Sequence, residues 1–110
     1  MKLMTAEVRK GFEKFPLYSQ ESRGDAAVVV AKFFSPVGRW TFFATEGQQD
    51  GDDFTMFGFV RSALESDYDE LGYVSLNEIA SARLPFGLGF ERDLSFPVAK
   101  RTLGEAKAHS

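Results

Sequence analysis

The chain has 110 residues, of which 44% are hydrophobic and 26% are charged, and its formal net charge is −3. A chain of this length is expected to form one domain with a hydrophobic core. It contains no cysteine, and its only histidine is His109. Disulfides, thiol catalysis and Cys-ligated metals are therefore excluded, and Ser-His-Asp triads and His-rich metal sites are disfavoured.

The lengths of the apolar runs in the sequence indicate the location of the protein in the cell. No apolar run approaches the roughly 20 residues of a membrane span, and the N-terminus lacks the apolar core of a signal peptide. We expect a cytoplasmic protein with no membrane partner and no cofactor.

The first predicted element is a helix over Ala6–Phe15. Thr5 suits the N-cap position, and Pro16 ends the helix. Val8 and Phe12 fall four residues apart, which places them on one helical face. This face is expected to contact the core.

Three strands are predicted next, over Ala27–Phe34, Arg39–Thr45 and Phe54–Val60. They are rich in β-branched and aromatic residues and are separated by glycine- and proline-containing segments. The first connection, Ser35–Arg39, has the length of a hairpin loop. The second connection, Glu46–Asp53, is longer and acidic, and we predict that it is a loop.

The remaining elements are predicted from turn and capping signals. Ser75 and Glu78 form a capping box, which predicts a helix that ends before Pro85. From the second half of the chain we predict a polar turn over Arg61–Glu70 with room for a short helix around Ala63–Ser66, a strand Leu71–Ser75, a helix Leu76–Leu84, an edge strand Leu94–Phe96 and a frayed tail from Ala99.

These elements predict the fold class α+β. We expect a single domain with an antiparallel sheet of about four to five strands, two helices on one face, and an ordered core over residues 3–98. Paired aromatics place bulky side chains on both faces of the sheet, so the second face must be covered by a helix, a loop or a partner subunit. If residues such as Phe34, Phe43 and Phe57 stay exposed, they form a patch typical of an interface.

Charge is distributed unevenly along the chain. Residues 46–70 hold eight acidic residues and one arginine, a local charge of −7. The acidic residues are Glu46, Asp50, Asp52, Asp53, Glu65, Asp67, Asp69 and Glu70.

Three interpretations of these carboxylates stay open at this point. They are solvated loop residues that confer solubility, or ligands of a divalent cation, or a surface that binds a basic protein partner. The spacing of Asp50, Asp52 and Asp53 does not match the calcium-binding loop, which needs a longer run closed by a glutamate. We therefore predict no metal site and take all eight acidic residues as the candidate partner-binding surface.

Catalysis and nucleic-acid binding are both disfavoured. Glu91 and Asp93 bracket Arg92, an arrangement more typical of a structural ion-pair network than of acid–base catalysis. We predict no catalytic residues. The basic residues are scattered rather than grouped, although an exposed aromatic sheet is able to stack single-stranded bases.

A series of short motifs runs along the chain from about Leu3 to Phe96. In order, they are Leu17-Tyr-Ser19, Lys32-Phe-Phe34 with Pro36, Trp40-Thr41, Ala44-Thr-Glu46, Asp53 with Phe57-Gly58, Leu71-Gly-Tyr73, Ser75-Leu76, Ser81-Ala-Arg83, Gly87-Leu88 and Glu91-Arg-Asp-Leu94. In the order of these motifs the sequence resembles a family, the bacterial domain of unknown function 2958. The resemblance implies a small protein carried on plasmids, integrative elements or phages, often near antirestriction-type genes. It implies no catalytic residues.

The family context and the acidic segment together suggest one function. We expect a non-enzymatic accessory protein of a mobile element that inhibits a host defence complex, of the anti-CRISPR or antirestriction type, through its acidic surface. The alternatives are a maintenance protein that binds single-stranded nucleic acid, and a structural or dimerisation module. A homodimer is compatible with each of these.

Overall fold

An N-terminal helix, α1 (Ala6–Lys14), is the first element of the computed structural model, which describes residues 2–37, 40–62 and 68–109. The Thr5 hydroxyl accepts a hydrogen bond from the Val8 backbone N–H at 3.2 Å, which confirms the predicted N-cap. Val8 and Phe12 are both buried, so the predicted apolar face does contact the core.

Seven strands follow within the described residues, and five of them form one antiparallel sheet. The strands are β1 (Val28–Val29), β2 (Ala31–Phe34), β3 (Trp40–Asp50), β4 (Asp53–Ser62), β5 (Tyr68–Ser75), β6 (Glu91–Arg92) and β7 (Arg101–Thr102). The spatial order in the five-stranded sheet is β5-β4-β3-β2-β6, and β1 pairs separately with β7. The predicted α+β class and antiparallel sheet are confirmed.

The predicted acidic loop Glu46–Asp53 is wrong. Strand β3 continues to Asp50 and β4 begins at Asp53, so only two residues, Gly51 and Asp52, join them. Gly51 has φ +58°, a conformation that glycine adopts at little cost. The polar residues after Thr45 extend the strand because Phe54 and its neighbours in β4 supply a complete pairing partner.

Three other boundaries differ from prediction. Helix α2 (Leu76–Ser81) ends three residues early, with Ala82 already extended, and β5 begins at Tyr68 instead of Leu71. The predicted edge strand Leu94–Phe96 is wrong, because β6 takes that position in the sheet and the segment after it forms a turn. The helix considered around Ala63–Ser66 lies outside the described residues.

The predicted frayed tail is also wrong. Residues 101–108 form β7 and a third helix, α3 (Leu103–Ala108). Thr102 and Glu105 cap this helix reciprocally, each side chain bonding the other's backbone N–H. Leu103 and Ala106 are buried, which gives the helix its attachment to the sheet.

Helices cover both faces of the sheet. On the first face, α1 and α2 bury a core whose members in the sheet are Ala31, Phe33, Phe42, Ala44, Phe54 and Met56. On the second face, α3 covers Phe43 and Val29 with Leu103 and Ala106. Phe43 is therefore fully buried by the chain itself, whereas Phe34 and Phe57 stay partly exposed.

Candidate protein-binding surface

One of the eight predicted surface carboxylates lies inside the molecule. Glu46 is only 2% exposed, and its two oxygens accept hydrogen bonds from the backbone N–H groups of Tyr18 (2.7 Å) and Gln20 (2.9 Å). A bulge between Ala44 and Glu46 shifts the β3 register at this point. Glu46 therefore fixes a loop to the sheet, and its place on a partner-binding surface was predicted wrongly.

Gln20 completes the attachment of that loop. Its amide nitrogen donates to the carbonyls of Val28 (2.8 Å) and Thr45 (2.7 Å), and its amide oxygen accepts from the Val28 N–H at 2.7 Å. The side chain is buried, and these bonds satisfy its donors and acceptor. Sequence reasoning missed Gln20 because a glutamine in a polar connection resembles an ordinary surface residue.

Three carboxylates lie at the β3–β4 turn and have different roles. Asp53 accepts bonds from the Ser75 hydroxyl, the Asn77 backbone N–H (2.9 Å) and the Phe54 backbone N–H (2.7 Å). The bonds from Ser75, then Asn77 and Phe54, hold the pKa of Asp53 below its ordinary value. Asp53 thus ties the turn to the start of α2.

Asp50 and Asp52 are the carboxylates that remain directed at solvent at this turn. Asp50 accepts one bond from the Thr55 hydroxyl at 3.3 Å, and the Asp52 backbone carbonyl accepts one from the Asn77 amide at 3.1 Å. Neither carboxylate forms an ion pair with any residue that the structure describes. We call these two side chains the acidic tip.

Two more of the acidic residues, Asp69 and Glu70, lie at the other end of the sheet. Asp69 pairs with the Arg61 guanidinium at 3.6 Å, and Glu70 is exposed. Arg61 lies eight positions after Asp53 in β4, which corresponds to about 27 Å along the strand. Glu65 and Asp67 lie outside the described residues. The predicted residues are therefore not brought together into one surface.

An exposed apolar area lies on the second face, beyond the reach of α3. Tyr18 is 65% exposed, and Leu71 and Tyr73 are each 58% exposed. The rings of Phe57 and Tyr73 are in contact, with centroids 4.9 Å apart. We call Tyr18, Phe57, Leu71 and Tyr73 the tyrosine patch. Of the three residues predicted for such a patch, only Phe57 belongs to it.

Two glutamates, Glu21 and Glu46, lie near the tyrosine patch. A side-chain hydrogen bond with Tyr18, partial burial, and the nearby Glu46 and Glu21 carboxylates raise the pKa of Tyr73 above its ordinary value. A cavity of about 170 Å³ adjoins the patch beneath Leu71, between Gln20 and Lys107. Lys107 itself pairs with Asp25 at 2.7 Å.

A second, polar cleft of about 410 Å³ lies between α3 and the turn after β6. It contains the only histidine, His109, together with Lys32, Asp93 and Glu105. Burial acts to raise the pKa of Asp93, but hydrogen bonds from Ser95 and the ion pair with Lys32 at 3.4 Å bring it below its ordinary value. The Thr102 backbone N–H and hydroxyl likewise lower the pKa of Glu105. Both carboxylates are therefore held as anions by structural partners.

Other site types were sought among the described residues. Within that part of the chain, no group of three or more His, Asp or Glu side chains is arranged to hold a metal ion. None of its helices is long and apolar enough to cross a membrane.

Comparison with known proteins gives one match. The model of a family described as protein of unknown function (DUF2958) matches residues 3–107. No curated protein and no solved structure matches the chain.

Proposed function

Since the chain belongs to the DUF2958 family, whose function is unknown, we propose that it is a non-enzymatic accessory protein of mobile elements that inhibits a host defence complex by binding a basic protein. The defence complex would be of the CRISPR or restriction type. The resemblance described above, to small proteins of plasmids, integrative elements and phages, supports this choice of target. One structural observation carries the mode of binding, namely the acidic tip.

The acidic tip suits a partner rich in arginine and lysine. Its two carboxylates are exposed, and they form no ion pair with the described residues that binding would have to break. The bonds of Asp53 to Ser75 and Asn77 hold the turn against α2, so little conformational freedom is lost on association. Complementary charge at such a protruding turn speeds association and makes it sensitive to salt.

The negative charge weighs against the nucleic-acid alternative. Tyr18 and Tyr73 are exposed and have flat rings on which bases could stack. However, Glu21 and Glu46 lie close enough to Tyr73 to raise its pKa, and they would repel a phosphate backbone. The described residues around the tyrosine patch therefore favour a protein partner.

The experiment compares two charge reversals of equal size. Asp50→Lys/Asp52→Lys removes the acidic tip, and Glu7→Lys/Glu13→Lys makes the same change on the exposed face of α1. Each protein is produced in cells that carry a CRISPR or restriction system, and phage survival is measured. Binding to the purified defence complex is then measured across a salt series.

We expect the wild type and the α1 variant to protect phage and to bind, with affinity that falls as salt rises. The acidic-tip variant should lose both properties while it keeps its unfolding temperature, because substitutions of exposed surface residues change stability by no more than about 0.5 kcal/mol. If the two variants behave alike, the acidic tip is not the binding site. If the wild type protects against none of the systems, the proposed function is wrong.

A further inference from the structure

Strand β5 is an open edge of the five-stranded sheet. The order β5-β4-β3-β2-β6 places it at one end, with no further strand beside it among the described residues. It is eight residues long, whereas β6 at the opposite edge has two. An open edge offers unpaired backbone N–H and C=O groups to another strand.

The strand has few of the features that protect edges from pairing. Between Tyr68 and Ser75 it contains no lysine and no proline, and it pairs with β4 without a bulge. Its charges, Asp69 and Glu70, are confined to one end. The centre carries Leu71 and Tyr73, which point to the same face and are more than half exposed.

Gly72, between these two residues, is not required by the fold of the chain itself. A Cβ atom added there would have no neighbour within 4 Å, and its φ is not in the left-handed region. By contrast, a Cβ atom on Gly58, its partner in β4, would lie 2.0 Å from the Phe43 carbonyl oxygen. A glycine inside a strand weakens that strand, and it often marks a place where another backbone approaches closely.

We propose that a second copy of this chain pairs with β5 in the antiparallel direction, with the two-fold axis at Gly72. Two five-stranded sheets would then form one sheet of ten strands. Leu71 of each copy would lie opposite Tyr73 of the other, which joins the two tyrosine patches into one apolar area on a single face.

The charges of β5 favour a second copy in this direction. Antiparallel pairing about Gly72 places Asp69 opposite Ser75 and Glu70 opposite Val74, so that no carboxylate of this strand faces another. Parallel pairing would align both carboxylates with their own copies, and like charges directly opposite each other are destabilising. The strand is thus self-complementary, as a symmetric interface requires.

Sedimentation velocity across a wide range of protein concentration tests the assembly. We expect the wild type to shift from monomer to dimer as concentration rises. Leu71→Lys/Tyr73→Lys should stay monomeric at every concentration, and the control Glu78→Lys/Ala80→Lys, on the exposed surface of α2, should dimerise as the wild type does. A wild type that stays monomeric near millimolar concentration, or a dimer that persists in the β5 variant, would overturn the proposal.

A cross-link provides a second test that does not depend on the lysine variant folding. The chain has no cysteine, so a single introduced thiol reports one contact. Under mild oxidation, Gly72→Cys should form a disulfide-linked dimer, because the two thiols meet at the axis. Gly89→Cys, at an open position in an exposed loop, is the matched control and should stay mostly monomeric. Equal yields of cross-linked dimer would exclude the proposed register.

None of these variants alters Asp50 or Asp52. A wild type that stays monomeric would therefore not contradict the proposed function. Likewise, a wild type that protects no phage would not contradict the dimer.

Discussion

Replacing Glu46 by glutamine should destabilise the protein markedly, although the two side chains have nearly the same size. The buried carboxylate accepts one hydrogen bond on each oxygen, from Tyr18 N–H at 2.7 Å and from Gln20 N–H at 2.9 Å. A glutamine amide has one oxygen and one NH₂ group. One of the two backbone N–H groups would then face the glutamine NH₂ group, which is also a donor, and would be buried without an acceptor.

The expected loss follows from these two contacts. A hydrogen bond to a charged group contributes about 1.5–3 kcal/mol, and a buried donor left without an acceptor costs about 1–3 kcal/mol. The two figures describe the same broken contact and are not added. We expect Glu46→Gln to lower the free energy of unfolding by about 2–3 kcal/mol, and the melting temperature by about 10 °C in a domain of this size.

Urea and thermal unfolding followed by circular dichroism measure this loss directly. Glu70→Gln is the matched control, because Glu70 is an exposed strand residue and the change in charge is the same. The control should stay within about 0.5 kcal/mol of the wild type. A Glu46→Gln protein as stable as this control would show that the carboxylate does not hold the loop to the sheet.

Three further changes have defined outcomes. Leu103→Ala should lower the free energy of unfolding by about 2–5 kcal/mol in urea titrations, because it removes a buried side chain and leaves a cavity between α3 and the second face. Asp53→Asn should flatten the acid limb of a plot of melting temperature against pH. The pKa of Asp53 is depressed in the folded state, so its stabilisation is present above the ordinary carboxyl pKa and is lost as pH falls through the folded value. Gly58→Ala should prevent folding, as judged by amide NMR dispersion, because the new Cβ atom would collide with the Phe43 carbonyl oxygen. Gly89→Ala should be tolerated, because a Cβ atom at that position has no neighbour within 4 Å.

Signals that lie within a few residues were readable from the sequence. Thr5 and Ser75 were identified as helix caps because each bonds a backbone N–H three residues ahead, and both caps are present. The contiguous aromatic and β-branched residues located the central parts of the predicted strands. The first predicted strand, Ala27–Phe34, nevertheless divides at Val30 into β1 and β2, because β1 pairs with β7 outside the five-stranded sheet. The α+β class followed from these local features.

Features that depend on distant partners were not readable. The strand character of residues 46–50 comes from pairing with β4, and the burial of Glu46 comes from a loop 26–28 residues earlier in the chain. Helix α3 was missed although Thr102 and Glu105 carry the same capping pattern as Ser75 and Glu78, because only two of its residues, Leu103 and Ala106, are buried and the apolar pattern is short. The candidate site was affected most, since counting acidic residues along the chain gives no information on which of them face solvent.

The attachment of α3 to the second face makes the order of synthesis important for this fold. Val28 pairs with Thr102, and Leu103 and Ala106 pack in the same cluster as Phe43 and Val29. On the ribosome, the central hairpin of β3 and β4 is synthesised before residues 101–108. Its second face, which includes Phe43, therefore stays uncovered until α3 has been made. Pauses in translation between β4 and α3 would lengthen this exposure, and exposed apolar surface on a nascent chain recruits chaperones or leads to aggregation. The yield of folded protein in a cell should therefore respond to codon choice in the segment that encodes residues 68–108 more strongly than to codon choice before β3.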